Sequence, residues 1–211
     1  MANVLLFHSE LGLTPGTDAF ADLLRDAGHA VTVPDLYDGQ VFSSLEAGLE
    51  YAGEIGLETI EALGVRIAEQ LPEDLVYIGF SLGVLPAQRL AQTRPGARGA
   101  VLVSACVPPG AYAYTWPAGV PLQIHAMADD PVFVEEGDLD AARNLVDSIA
   151  GDADWAAADT PNDASVKLIL YPGSSHFFVD ISSPDYDEDG AHALTFSVLE
   201  LLAGINDGMD G

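Results

Sequence analysis

The sequence predicts an α/β fold: a mostly parallel central sheet with helices on both faces. Short apolar runs rich in β-branched residues recur along the chain, and amphipathic stretches with helical spacing alternate with them. No fixed-period repeat and no long Pro- or Ser-rich linker divides the 211 residues, so they are expected to form one domain spanning 1–211. A chain of this length buries about 70% of its unfolded surface, enough for a core without staples.

The first apolar run is Val4 to Phe7, followed by Ala30 to Val33, Leu75 to Phe80, Ala100 to Val103, Leu122 to Ile124 and Val166 to Tyr171. Continuous apolar runs of this length, bounded by turn residues, fit strands buried on both faces of a parallel sheet. Between them, Asp18 to Asp26 carries Ala19, Phe20, Leu23 and Leu24 at helical spacing, with Gly28 as a stop. Ser44 to Leu71 is long and amphipathic, and Gly53, Gly56 and Gly64 inside it predict two helices or a bend. Leu82 to Gln92, Asp138 to Ile149 and Gly190 to Leu202 complete the helical set. Pro108 to Pro121 and the acidic stretch Gly151 to Ala164, with its single Trp155, read as surface loops, and Asp207 to Gly211 as a frayed end.

Composition narrows the function classes. Seven Lys and Arg against 33 Asp and Glu give a formal charge of −26, which repels phosphate backbones and anionic lipid, so neither nucleic acid nor membrane is an expected partner. The first residues, Met1 to His8, lack a cationic leader and their apolar run is too short to span a bilayer, which predicts a cytoplasmic protein. One cysteine, Cys106, allows no internal disulfide and reads as a small buried residue. No H-E-x-x-H, P-loop or G-x-G-x-x-G pattern is present, so no metal or nucleotide cofactor is expected.

One motif carries chemistry. The run Asp74 to Ile78 leads into Gly79-Phe80-Ser81-Leu82-Gly83 and then a helical segment, which is G-x-S-x-G between strand and helix. A nucleophile on so sharp a turn leaves no room for a Cβ two residues before or after it, hence the glycines. A serine hydroxyl needs a base to take its proton and an acid to orient the base. In α/β-hydrolases these follow in the order Ser, Asp or Glu, His, each after a later strand. Here Asp129-Asp130-Pro131 follows the run at Leu122, and His176 follows the run at Val166. Asp130 is preferred over Asp129 because the residue before proline is held extended, leaving its carboxylate free to turn back over the strand ends. His8, which ends the first strand, is the competing base and a candidate pocket residue. Oxyanion donors are expected from the backbone amides of Leu82, after the nucleophile, and Leu11, in the first loop.

Taken together, Ser9-Glu10-Leu11-Gly12, Pro34-Asp35-Leu36-Tyr37, Gly79 to Gly83, Asp130 and Ser175-His176-Phe177 resemble the dienelactone hydrolase family over nearly the whole chain. The resemblance implies an α/β-hydrolase fold without a lid, and a glutamate, Glu10, beside the nucleophile. Two positions depart from it: Ser81 stands where the best-known members carry cysteine, and Asp180 occupies the region where they carry an arginine for the substrate carboxylate.

The expected activity is therefore hydrolysis of a small ester, lactone or thioester by Ser81, His176 and Asp130, on a substrate without an adjacent carboxylate. Glu10, His8, Tyr37 and Phe177 are expected around the pocket, with Tyr112, Tyr114 and Trp116 as further apolar walls. The opposing reading is a catalytically silent small-molecule binding protein on the same fold.

Overall fold

The computed structural model describes residues 1–151 and 166–207; the acidic Trp155 segment and the last four residues lie outside them. Six strands form one sheet: β1 (Asn3–Phe7), β2 (Ala30–Thr32), β3 (Leu75–Phe80), β4 (Gly99–Val103), β5 (Leu122–Met127) and β6 (Val166–Tyr171). Their spatial order is β2-β1-β3-β4-β5-β6, and every pair is parallel.

Seven α-helices connect them among the described residues: α1 (Pro15–Asp26), α2 (Leu45–Ile55), α3 (Leu57–Ala68), α4 (Val84–Thr93), α5 (Pro131–Glu135), α6 (Asp138–Ala150) and α7 (Glu188–Asp207). The long stretch from Ser44 does split in two. Gly56, at φ 90°, ends α2 and starts α3, a conformation that a side chain would strain. The short α5 escaped the sequence reading because five residues are too few to show a helical period.

Strand side chains alternate between two cores, as the period-2 geometry of a strand requires. Leu5, Phe7, Tyr77, Leu102 and Ile124 pack under α2, α3, α4 and α6. Val4, Leu6, Ile78, Val101 and Met127 pack under α1 and α7. The two edge strands depart from the expectation of burial on both faces, β2 being largely exposed and β6 only partly buried, unlike β3, β4 and β5, because an edge strand lacks a neighbour on one side. From β1 the chain goes outward to β2 and then back across to β3. The crevice of such a reversal opens at the carboxyl ends of β1 and β3, where open α/β sheets bind ligands.

Candidate active site

β1 and β3 are direct neighbours, with Phe7 registered on Gly79. The residues just beyond each strand, His8 to Leu11 and Ser81 to Gly83, are therefore brought together by the sheet itself. Ser81 opens a single 3₁₀ turn at φ 46°, a left-handed conformation that strains a residue with a Cβ. The turn is this tight because backbone crowds both glycines. A Cβ on Gly79 would lie 2.4 Å from the Gly83 carbonyl oxygen, and one on Gly83 would lie 2.4 Å from that of Phe7.

The serine hydroxyl points at two partners. Its Oγ is 2.7 Å from His176 Nε2 and 2.9 Å from Glu10 Oε1, and all three residues are buried. His176 Nδ1 lies 2.7 Å from Asp130 Oδ2. Asp130 is fully buried, whereas Asp129 is exposed and meets Gly173 only through its backbone N–H. Held extended by Pro131, Asp130 also caps α5, its Oδ1 accepting the Val132 N–H at 3.0 Å.

Burial by itself would lower the His176 pKa; the hydrogen bond and charge of Asp130, then the charges of Glu10 and Asp138, more than reverse this and raise it. Glu10 is pushed above the usual carboxyl range by burial, against the opposing pull of His176, of its own backbone amide, of the Ser81 hydroxyl and of the Leu82 amide.

Three supporting residues were missed in the sequence. Ser104, at φ 59°, donates its hydroxyl to the His176 carbonyl at 2.8 Å. Asp138, at the start of α6, accepts the Cys106 N–H at 2.7 Å while its charge acts on His176. Asp180 accepts from the Thr14 hydroxyl at 2.6 Å and from the Ser182 hydroxyl, tying the histidine loop to the start of α1. A serine or aspartate at an element boundary is so common that it carries no signal until the tertiary contact is known.

Other expectations are corrected. His8 is fully buried: its Nε2 accepts the Leu36 N–H at 2.9 Å and its Nδ1–H donates to the Ser9 carbonyl at 2.7 Å. No ring nitrogen is left for a substrate, so His8 is a strut between β1 and the β2–α2 loop. The Leu11 N–H is held by Ser9 Oγ at 3.2 Å, and rotation of Ser9 must release it before it can serve an oxyanion.

Tyr37 is buried between His8, Phe42 and Tyr51. Phe177 packs edge-on against the His176 ring and lines a small cavity with Ser81, Ser104 and Val179. The aromatic loop from Pro108 turns elsewhere. Tyr112 bonds Glu61, Trp116 is buried against Val120, and Tyr114 is exposed. Cys106 is buried as expected, and burial pushes its thiol up to about 12.

Solved structures share this architecture. A dienelactone hydrolase-like promiscuous phosphotriesterase from metagenomic libraries superposes with a TM-score of 0.69 at 19% identity, covering 97% of this chain and 87% of that one. An esterase gives 0.60 at 19%, covering 95% and 92%. The dienelactone hydrolase of Anabaena variabilis gives 0.57 at 18%, covering 96% and 86%. At such identities the likeness is one of fold. No curated protein matches the chain. The sequence itself goes further, since the model of the dienelactone hydrolase family matches residues 1–205, from ahead of β1 through the histidine loop and most of α7, and the chain thus belongs to that family of hydrolases.

Proposed function

We propose that the protein is a serine hydrolase that cleaves a small, neutral carboxylic ester, lactone or thioester through an acyl-enzyme. The carrying observation is the hydrogen-bonded chain from Ser81 through His176 to Asp130, at 2.7 Å for each link, set on a strained elbow. Ser81 Oγ bonds to the substrate carbonyl carbon as its proton passes to His176 Nε2. The carbonyl oxygen becomes an oxyanion held by the Leu82 amide and, once Ser9 turns away, by that of Leu11. Collapse expels the alkoxide or thiolate, which takes the proton from His176. Water then adds to the acyl-enzyme by the same proton route, and the carboxylic acid leaves with Ser81 restored. Asp130 holds the imidazole tautomer throughout. The chemistry calls on side chains and backbone alone and needs no cofactor.

The preference for a neutral substrate follows from where the cations are. Arg25, Arg89 and Arg143 pair with Asp22, Glu61 and Asp140, while Arg94 and Arg98 bind backbone carbonyls. Arg66 and Lys167 are exposed on α3 and β6. The cavity at Ser81 and His176 is lined by Phe80, Val103, Phe177 and Val179 with Asp180 at its edge, and by no Lys or Arg. A substrate carboxylate there would lose its hydration and gain no partner. A protein of one domain acting in the cytoplasm on a small molecule, away from membranes and nucleic acid, fits this chemistry, and no helix among the described residues is long and apolar enough to cross a membrane.

Treatment with a neutral organophosphonate tests the assignment. Mass spectrometry should locate one adduct on Ser81. An unlabelled Ser81, under conditions where a known serine esterase labels fully, overturns it in favour of a silent binding protein.

A further inference from the structure

We propose that Glu10 works as a neutral carboxylic acid donating its proton to Ser81 Oγ, with the Tyr37 hydroxyl as the positioning group for its second oxygen. The proposal rests on Ser81 being the nucleophile.

The first reason is a count of hydrogens. Ser81 has one hydroxyl hydrogen, yet its Oγ is at hydrogen-bond distance from both Glu10 Oε1, at 2.9 Å, and His176 Nε2, at 2.7 Å. With Glu10 ionised and His176 neutral, its hydrogen on Nδ1 facing Asp130, one of those contacts would set lone pair against lone pair. A second hydrogen must sit on Glu10 or on His176 Nε2. On His176 it removes the only base able to take the serine proton; on Glu10 it leaves that base free and points the serine hydrogen at it.

The second reason is the surroundings of Glu10. It is 6% exposed, and the start of α2 is pressed onto it so closely that a Cβ on Gly48 would lie 2.3 Å from the Glu10 carbonyl oxygen. The ionisable groups that act on it or stand around it are His176, with Asp130 and Asp138 acting behind the ring, Tyr37 and Tyr51 from the β2–α2 side, and His8. Burial lowers the His8 pKa, its Nε2 accepts the Leu36 N–H, and Asp35 lies 3.9 Å from its ring. No Arg or Lys stands among them, so His176 is the one cationic partner that can offset a charge on Glu10, beside the hydrogen bonds of Ser81 and of the Glu10 and Leu82 amides, and burial outweighs them all.

The third reason is a matched pair of unmet needs. Glu10 Oε2 and Tyr37 Oη are two buried polar atoms without a hydrogen-bond partner. One is an acceptor, and the other brings a donor. After burial, the charge of Glu10 is the next cause raising the Tyr37 pKa, which places the two groups within electrostatic reach. The Tyr37 ring is wedged between His8, Phe42 and Tyr51, so its hydroxyl is aimed by packing. A water bridging the Tyr37 hydroxyl to Oε2 leaves Oε1 to carry the hydrogen toward Ser81.

A neutral Glu10 does not repel the oxyanion forming beside the Leu82 amide, whereas an ionised one does. Turnover should therefore fall again on the alkaline side, where an ordinary triad levels off. The test is the pH profile of kcat/KM on a neutral ester, read beside the infrared carbonyl band of a protonated carboxyl group. The wild type should show an alkaline fall with a midpoint equal to that of the band's disappearance. Glu10→Gln should remove both the alkaline fall and the band. Tyr37→Phe removes a donor that favours the anion, so the fall should move to higher pH. A flat alkaline plateau in the wild type, or absence of the acid band at the pH optimum, overturns the proposal. The wild-type readings suffice if Glu10→Gln fails to fold. Phosphonate labelling of Ser81 is read separately, so a labelled serine with no alkaline fall rejects the role of Glu10 and leaves the nucleophile standing.

Discussion

Asp130 and His176, 46 positions apart, meet through Oδ2 and Nδ1 at 2.7 Å, and the same carboxylate spends its other oxygen on the first turn of α5. One side chain thus orients the imidazole and caps a helix. Asp130→Asn keeps a capping oxygen but presents the wrong partner to Nδ1. We expect kcat to fall about 10⁴-fold with little change in Tm. Asp130→Ala should lose a further ~1 kcal/mol of stability with the cap. Steady-state rates and thermal melts of the two variants separate the roles; equal melting losses would show that the cap is idle.

The elbow conformation sets stability against activity. Ser81 at φ 46° sits where glycine is at ease, so Ser81→Gly should raise stability by about 1 kcal/mol while abolishing turnover. Denaturant titration reads the gain. A loss of stability would mean that the bonds to His176 and Glu10 outweigh the backbone strain.

Raised pKa values at Glu10 and His176 make stability depend on pH in a stated direction. A group whose folded pKa lies above its unfolded value binds more protons when folded, so its contribution is full below the unfolded value. It is lost as pH rises through the folded value. For Glu10 the loss begins above its ordinary 4.5, and for His176 above its ordinary 6.5. Glu10→Gln cannot ionise, so its stability relative to wild type should grow as pH rises from 4.5 toward neutrality. Urea titrations at several pH values measure this, and a constant difference would contradict the direction of the Glu10 shift.

Gly83 is the joint between the Ser81 turn and β1. Gly83→Ala would drive a Cβ against the Phe7 carbonyl, a backbone atom with no freedom to yield. We expect a loss of about 1–3 kcal/mol and a large fall in kcat as Ser81 is displaced. Gly53→Ala, where a Cβ meets nothing within 4 Å, is the control and should be neutral or slightly stabilising.

Substrate charge gives the remaining prediction. A neutral ester should be turned over faster than its analogue with a carboxylate beside the scissile bond. Added salt should narrow the gap by screening the −26 charge. Preference for the acid across salt concentrations would point to a cation at the site.

The sequence by itself determined the sheet, the elbow and the order in which Ser81, Asp130 and His176 follow their strands. Apolar runs such as Leu75 to Phe80 report strands through their own composition, the Gly79 and Gly83 spacing reports a local crowding, and Pro131 fixes the backbone of Asp130 through its own ring. Each of these causes acts within a few residues. Contacts between distant segments were decided only by the tertiary structure, because they depend on which strand ends become neighbours. Pairing of β1 with β3 set Glu10 beside Ser81 and turned His8 inward to brace Leu36, while the path of the Pro108 loop over α4 carried Tyr112 to Glu61. The charge state of Glu10 belongs with these, since it follows from the burial and the few partners that packing leaves around a carboxyl group.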